Sequence, residues 1–183
     1  MLSLNKILVP TDLSESSARV LDEAQLFASK FSATIDLMYV WSPPALSAPE
    51  SVITGVGLTE QPLLEWLRSS ADAMLSRFVD EARSRGIGVA HTFCDLGDPA
   101  MAIVERAASG GYDLLVLGTH GRTGLSHVLL GSVAEKVVRR ASCPVLTVRA
   151  LPNDESVGKE REREKENEAL DKAPKSRQPT LSS

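Results

Sequence analysis

The chain has 183 residues, 43% of them hydrophobic and 24% charged, enough apolar content for one ordinary globular core plus an appendage. A formal net charge of -4 and a pI near 5.4 argue against a polyanion binder with a basic face, so no nucleic-acid partner is expected and any phosphate binding must be local. Cys94 and Cys143 are the only cysteines and lie far apart, which disfavours a disulfide framework and favours a reducing compartment; each reads as a small buried hydrophobe.

The opening MLSLNKILVPTD has no basic segment followed by a long apolar run, and no apolar stretch reaches spanning length, so a cytoplasmic protein without membrane contact is expected. Lys6 to Pro10 reads as a first strand. Behind a Ser N-cap candidate, Val20, Leu21, Ala24, Phe27, Ala28 and Phe31 fall at helical spacing, which predicts a helix from about Ser14 to Phe31. Ile35 to Val40 predicts a second strand. Ser42 to Gln61 loses periodicity and gathers Pro, Ser and Gly, the composition of a long loop.

Pro62 is placed to open the next helix, with Leu63, Trp66, Leu67, Met74, Leu75 and Phe78 expected as its core stripe. Val89 to Cys94 predicts a third strand, and Asp98 with Pro99 the capped start of a helix to about Ser109. Leu114 to Leu117 is the most apolar short run and predicts a central buried strand. Ser132 to Arg140 supplies a fourth helix and Pro144 to Val148 a fifth strand. Alternation of strands and helices in this way predicts an α/β fold with a mainly parallel sheet. Beyond Ala150 the composition turns to Lys, Arg, Glu and Asp around KEREREKENE, so residues 1–150 are expected as the domain and 151–183 as a charged, disordered tail.

The chemically informative segment runs from Gly118 to Ser132, between a buried strand and a helix start. Its glycines let phosphate oxygens approach backbone N–H groups, Ser132 offers a hydroxyl, and the helix start adds unpaired N–H groups at a positive dipole end. The bland alternative is that the glycines only turn the chain. The first strand exits through Pro10-Thr11-Asp12, a polar end that could lie alongside at a topological switch point. Asp12 could bond a base or ribose, help hold a metal, or cap a helix. Neither a Gly-x4-Gly-Lys-Ser/Thr run nor Gly-x-Gly-x-x-Gly occurs at the strand exits, which disfavours a P-loop NTPase or a dinucleotide dehydrogenase.

Arg122 is the one cation between Gly118 and Ser132. His120 and His127 have no nearby cysteine or carboxylate, so no metal site is assigned there. No catalytic base is identifiable in the sequence. His91, Asp95 and Asp98, near the third strand's end, read as a structural cluster.

Over about Leu4 to Arg149 the chain resembles the universal stress protein family. Gly118, Gly121, Gly131 and Ser132 meet the Gly-x2-Gly-x9-Gly-Ser/Thr pattern of its ATP-binding members, and KILVPTDLSESS and HGRTGLSHVLLGSVAEKVVRRASCPVLTVR resemble its two ends. The resemblance implies an open five-stranded parallel sheet of order 3-2-1-4-5 with helices on both faces, of the adenine nucleotide alpha hydrolase-like type. It implies ATP, with Mg or Mn, as ligand. Pro10, Thr11, Asp12 and Val40 would lie toward the adenosine, and Gly118, His120, Gly121, Arg122, Gly131, Ser132 and Val133 toward the phosphates and ribose. It also implies a homodimer through Pro144 to Val148, an apolar edge, and a role in stress response as a nucleotide-dependent sensor toward an unknown signalling partner. A slow Mg-dependent ATPase or nucleotidyl-transfer enzyme in the same pocket is the alternative.

Overall fold

The computed structural model describes residues 3–42, 60–119 and 130–149. In chain order these form β1 (Lys6–Thr11), α1 (Glu15–Phe31), β2 (Thr34–Trp41), α2 (Glu60–Ser84), β3 (Val89–Leu96), α3 (Pro99–Ser109), β4 (Leu114–Gly118), α4 (Ser132–Arg140) and β5 (Val145–Val148). The strands make one parallel sheet in the order β3-β2-β1-β4-β5, with β1 at its centre. Leu114 to Leu117 is buried throughout but sits one place from the centre, between β1 and β5.

Alternation along the strands builds two cores. Ile7, Val9, Ile35 and Leu37 pack on one face with α1 and α2, while Leu8, Met38, Leu115 and Leu117 pack on the other with α3 and α4. Ser14 caps α1 by accepting from the Ser17 N–H, and Asp98 caps α3 by accepting from the Met101 N–H, with Pro99 in the first turn.

Helix α2 departs from expectation. It starts two residues before Pro62, which therefore falls in the first turn, where a missing N–H costs no intrahelical bond. Its core face is Ala71, Leu75, Val79 and Ala82, at spacings of four and three. Trp66 is 65% exposed and Met74 43% exposed, so both leave the expected stripe; Leu67 and Phe78 flank the core, and Leu63 lies outside the described side chains. Phe31 is likewise exposed on α1, stacked on Phe27. The expected tail from Leu151 and most of the loop from Ser42 to Gln61 lie outside the described residues, except that Glu60 and Gln61 are already helical.

Candidate functional site

β1 keeps register with β2 from Lys6 to Thr11 but with β4 only at Ile7 and Leu8. Pro10 falls in the stretch that has lost β4; it carries no N–H to give a ladder, which suits a strand that is parting from its neighbour. The order of strands reverses here, and beyond the parting strands a cleft of about 230 Å³ opens at their carboxyl ends.

The cleft draws on both sides of the switch point. β1 and its exit supply Pro10, Thr11 and Asp12, β2 supplies Met38 and Val40, and β4 and its exit supply Leu117, Gly118 and Thr119; Gly131, Ser132, Val133 and Ala134 close it. Eight of the expected site residues (Pro10, Thr11, Asp12, Val40, Gly118, Gly131, Ser132, Val133) therefore share one cavity wall. His120, Gly121 and Arg122 lie outside the described residues, as does His127.

The chain leaves β4 at Thr119 and is back at Gly131 under mutual restraint: the Gly131 N–H donates to the Thr119 carbonyl at 2.7 Å, and the Thr119 N–H to the Val148 carbonyl at 3.0 Å. Gly131 is the N-cap of α4, with φ -67 and ψ 156 and no side-chain cap bond. That is extended backbone, so positive φ is not what requires glycine at this position. The start of α4, whose first-turn N–H groups have no intrahelical acceptor, borders the cavity through Gly131, Ser132, Val133 and Ala134.

Asp12 is braced from α1. Its Oδ1 accepts from the Ser14 N–H at 3.1 Å, the Ser14 hydroxyl at 2.5 Å and the Ser17 hydroxyl at 2.6 Å, while its own N–H donates to Ser17 Oγ at 3.3 Å. Of the three roles open to Asp12, support of the helix start is thus one it has; the capping atom itself belongs to Ser14. Between Asp12 and Ser14, Leu13 holds φ 62, the left-handed region, with its N–H donated to Thr11 Oγ1 at 2.9 Å.

His91, Asp95 and Asp98 do not form one cluster. A register shift in β3 after Val89 brings His91 opposite Asp36, and His91 Nδ1 lies 2.9 Å from Asp36 Oδ1. Asp95 pairs with Arg106 at 2.9 Å, and Asp98 caps α3. Asp36, fully buried, also accepts from the Tyr112 hydroxyl at 2.8 Å and lies 3.6 Å from Lys6 Nζ. Burial first, then the bond to Asp36 and its charge, push the Tyr112 phenol well above its ordinary range, so it stays a donor. This network lies toward the amino ends of the strands, with Asp36 opposite Leu8 and two residues before the cleft residue Met38.

Both cysteines are half-buried and free, neither fully enclosed as expected. Burial pushes the Cys94 thiol up to about 12, helped by a hydrogen bond with Asp72 and by its charge, and burial likewise raises Cys143. No group of three or more metal-ligating side chains is assembled among the described residues, and no helix there is long and apolar enough to cross a membrane.

Residues 3–149 match the family model described as the universal stress protein family. This chain belongs to that family. It is 37% identical over 145 residues to universal stress protein MJ0531 of Methanocaldococcus jannaschii, covering 79% of this chain and 81% of that protein. Against universal stress protein YxiE of Bacillus subtilis it is 32% identical over 149 residues, covering 79% and 99%. Among solved structures, MJ0577 of M. jannaschii superposes with a TM-score of 0.65 at 30% identity, over 82% of this chain and 99% of that one. A universal stress protein solved in complex with cAMP gives a TM-score of 0.58 at 28% identity, over 81% and 99%. The fold is the expected adenine nucleotide alpha hydrolase-like sheet of order 3-2-1-4-5.

Sequence reasoning missed several lining residues of this family member. Val20, Met38, Ile103 and Leu117 give the cleft its apolar walls, and Ser16 and Ser17 reach it from the first turn of α1. The apolar four read in sequence as plain core. Ser17 had a signal, since Asp12, Ser14 and Ser17 are spaced so that one carboxylate can meet two hydroxyls at a helix start.

Proposed function

We propose that this universal stress protein binds ATP in the cleft at the switch point and acts in stress response as a nucleotide-dependent sensor or regulator. The observation that carries this reading is the convergence of the β1 exit, Gly118 and the Gly131–Val133 start of α4 on one cavity. Val40, Met38 and Val20 offer apolar surface to an adenine, while the first-turn N–H groups of α4 and the Ser132 hydroxyl suit phosphate oxygens. His120, Gly121 and Arg122 complete the phosphate side from the sequence pattern, and Mg or Mn would accompany the phosphates. The cAMP complex of a family member 28% identical supports an adenine nucleotide as the ligand class.

Asp12 is the one ionisable side chain among the described residues of the cleft, and its Oδ1 is already engaged by three hydrogen bonds from serines. That favours binding over hydrolysis. A homodimer through Pro144 to Val148 is supported by β5 being an edge strand whose Val145, Leu146 and Val148 are only half-buried. Free thiols at Cys94 and Cys143 suit a reducing cytoplasm. Residues 1–150 are taken as the nucleotide-binding domain and the charged segment 151–183 as a separate unit.

Calorimetric titration of the full chain with Mg-ATP tests the reading, with Mg-GTP as comparison. Saturable binding that favours ATP is expected; no heat or thermal stabilisation at millimolar Mg-ATP would remove the nucleotide role. Stoichiometric phosphate or pyrophosphate release during the same incubation would move the protein to the enzyme class.

A further inference from the structure

The hydrogen bonding behind the cleft has an unusual division of labour. In a capping box the side chain at the third helical position accepts the N–H of the N-cap residue. Here the third position of α1 is Ser17, but the N-cap N–H of Ser14 goes to the Asp12 carboxylate instead. Ser17 Oγ reaches one step further back, donating to Asp12 Oδ1 at 2.6 Å and accepting the Asp12 N–H at 3.3 Å. Both the backbone and the side chain of Asp12 are therefore gripped by one buried hydroxyl that itself lines the cavity.

The next residue, Leu13, is held in the left-handed region at φ 62, a conformation a non-glycine residue keeps only where its surroundings over-determine it. Its N–H is tied to Thr11 Oγ1, so the hydroxyl of Thr11 is oriented by the same turn that fixes Asp12. Ser17 is rooted in a 17-residue helix packed on the core through Val20, Leu21 and Ala24, which makes it a rigid anchor for a carboxylate on a turn.

We propose that Ser17 is a positioning residue of the nucleotide site, presetting the Asp12 carboxylate and the strained turn around Leu13 before ligand arrives. It acts through Asp12 and not by contact with the nucleotide. The inference rests on the ATP reading for the ligand, but the geometry it invokes belongs to the ligand-free protein and is tested separately.

Two measurements on the full chain decide it. Crystal structures of nucleotide-free wild type and Ser17→Ala should show the Asp12 carboxylate leaving its wild-type rotamer in the variant; an unmoved Asp12 overturns the proposal. Titration with Mg-ATP should give roughly tenfold weaker binding for Ser17→Ala, the scale seen when an orienting partner behind a metal ligand is lost, with recovery in Ser17→Thr. In an Asp12→Ala background, Ser17→Ala should cause no further loss. An equal loss in both backgrounds would mean that Ser17 touches the ligand itself and would overturn the positioning role, as would undiminished affinity of the single variant. A wild type that binds no Mg-ATP, with Asp12 still displaced in the Ser17→Ala crystal, would sink the nucleotide reading and leave the brace standing. Should Ser17→Ala not fold, Ser17→Cys keeps the size with a weak donor and carries the same outcomes.

Discussion

Gly131→Val separates a phosphate-approach role from a hinge role. At φ -67 and ψ 156 the backbone of residue 131 already lies where a β-branched residue is comfortable, and no side-chain cap bond is lost by the change. The cost is that valine is a poor N-cap, about 1 kcal/mol, partly offset by the lower entropy of the unfolded chain, about 0.4–1 kcal/mol. For a domain of this size each kcal/mol moves the melting point by about 2–4 °C, so the ligand-free variant should melt within about 4 °C of wild type. Mg-ATP at a hundredfold excess over its Kd stabilises the native state by about 2.7 kcal/mol, which by the same conversion is a rise of about 5–10 °C. Three added carbons on the wall beside Ser132 should abolish that rise. Circular dichroism melts with and without Mg-ATP read both quantities. A folded Gly131→Val protein that keeps the full ATP-dependent rise would refute the site, and a ligand-free melting point lowered by far more than about 4 °C would refute the backbone argument.

Toward the amino ends of the strands, Asp36→Ala should cost about 1–3 kcal/mol for the stranded Tyr112 hydroxyl alone, and adding Tyr112→Phe should return part of it in urea unfolding; strict additivity would deny the coupling. Leu75→Ala should destabilise by about 2–5 kcal/mol and Trp66→Ala by under about 0.5 kcal/mol, so equal losses would contradict the assignment of the α2 face. Because the folded state holds the Cys94 thiol protonated, its contribution to stability is complete below the ordinary value of 9.0 and drains as pH climbs from there toward about 12. At pH 8, alkylation of Cys94 should be far slower in native protein than in urea, and equal rates would show the thiol is not shielded.

Element order was legible because each strand is a β-branched or apolar run closed by a polar or glycine stop, and because Ser14 and Asp98 cap the helices they were expected to start. The face of α2 was not. Reading favoured the bulky residues Trp66 and Met74, whereas the buried surface of the helix uses Ala71 and Ala82 beside Leu75 and Val79, and the size of a side chain does not say which face is buried. The Asp36–His91 pair was also invisible: 55 positions separate the two, and only the register shift in β3 puts them opposite each other. Half of the candidate site was legible as an exit, PTD, and a return, Gly131-Ser132. Its apolar walls were not, since Met38, Ile103 and Leu117 carry no mark that distinguishes a cavity lining from ordinary filling.

The parallel strands place Lys6, which closes the Asp36 network from below, and Thr11, which lines the cleft, at the two ends of β1, five residue steps or about 17 Å apart. Substitutions farther apart than about 10 Å with no shared partner combine without interference. Descendants of such a chain can therefore exchange one ligand for another at the upper rim, accepting some loss of folding there, and recover it by independent changes at the lower rim. A laboratory selection for altered ligand choice can begin from variants already strengthened around Lys6, whereas changes at Asp36, two residues from Met38, would not be independent of the cleft.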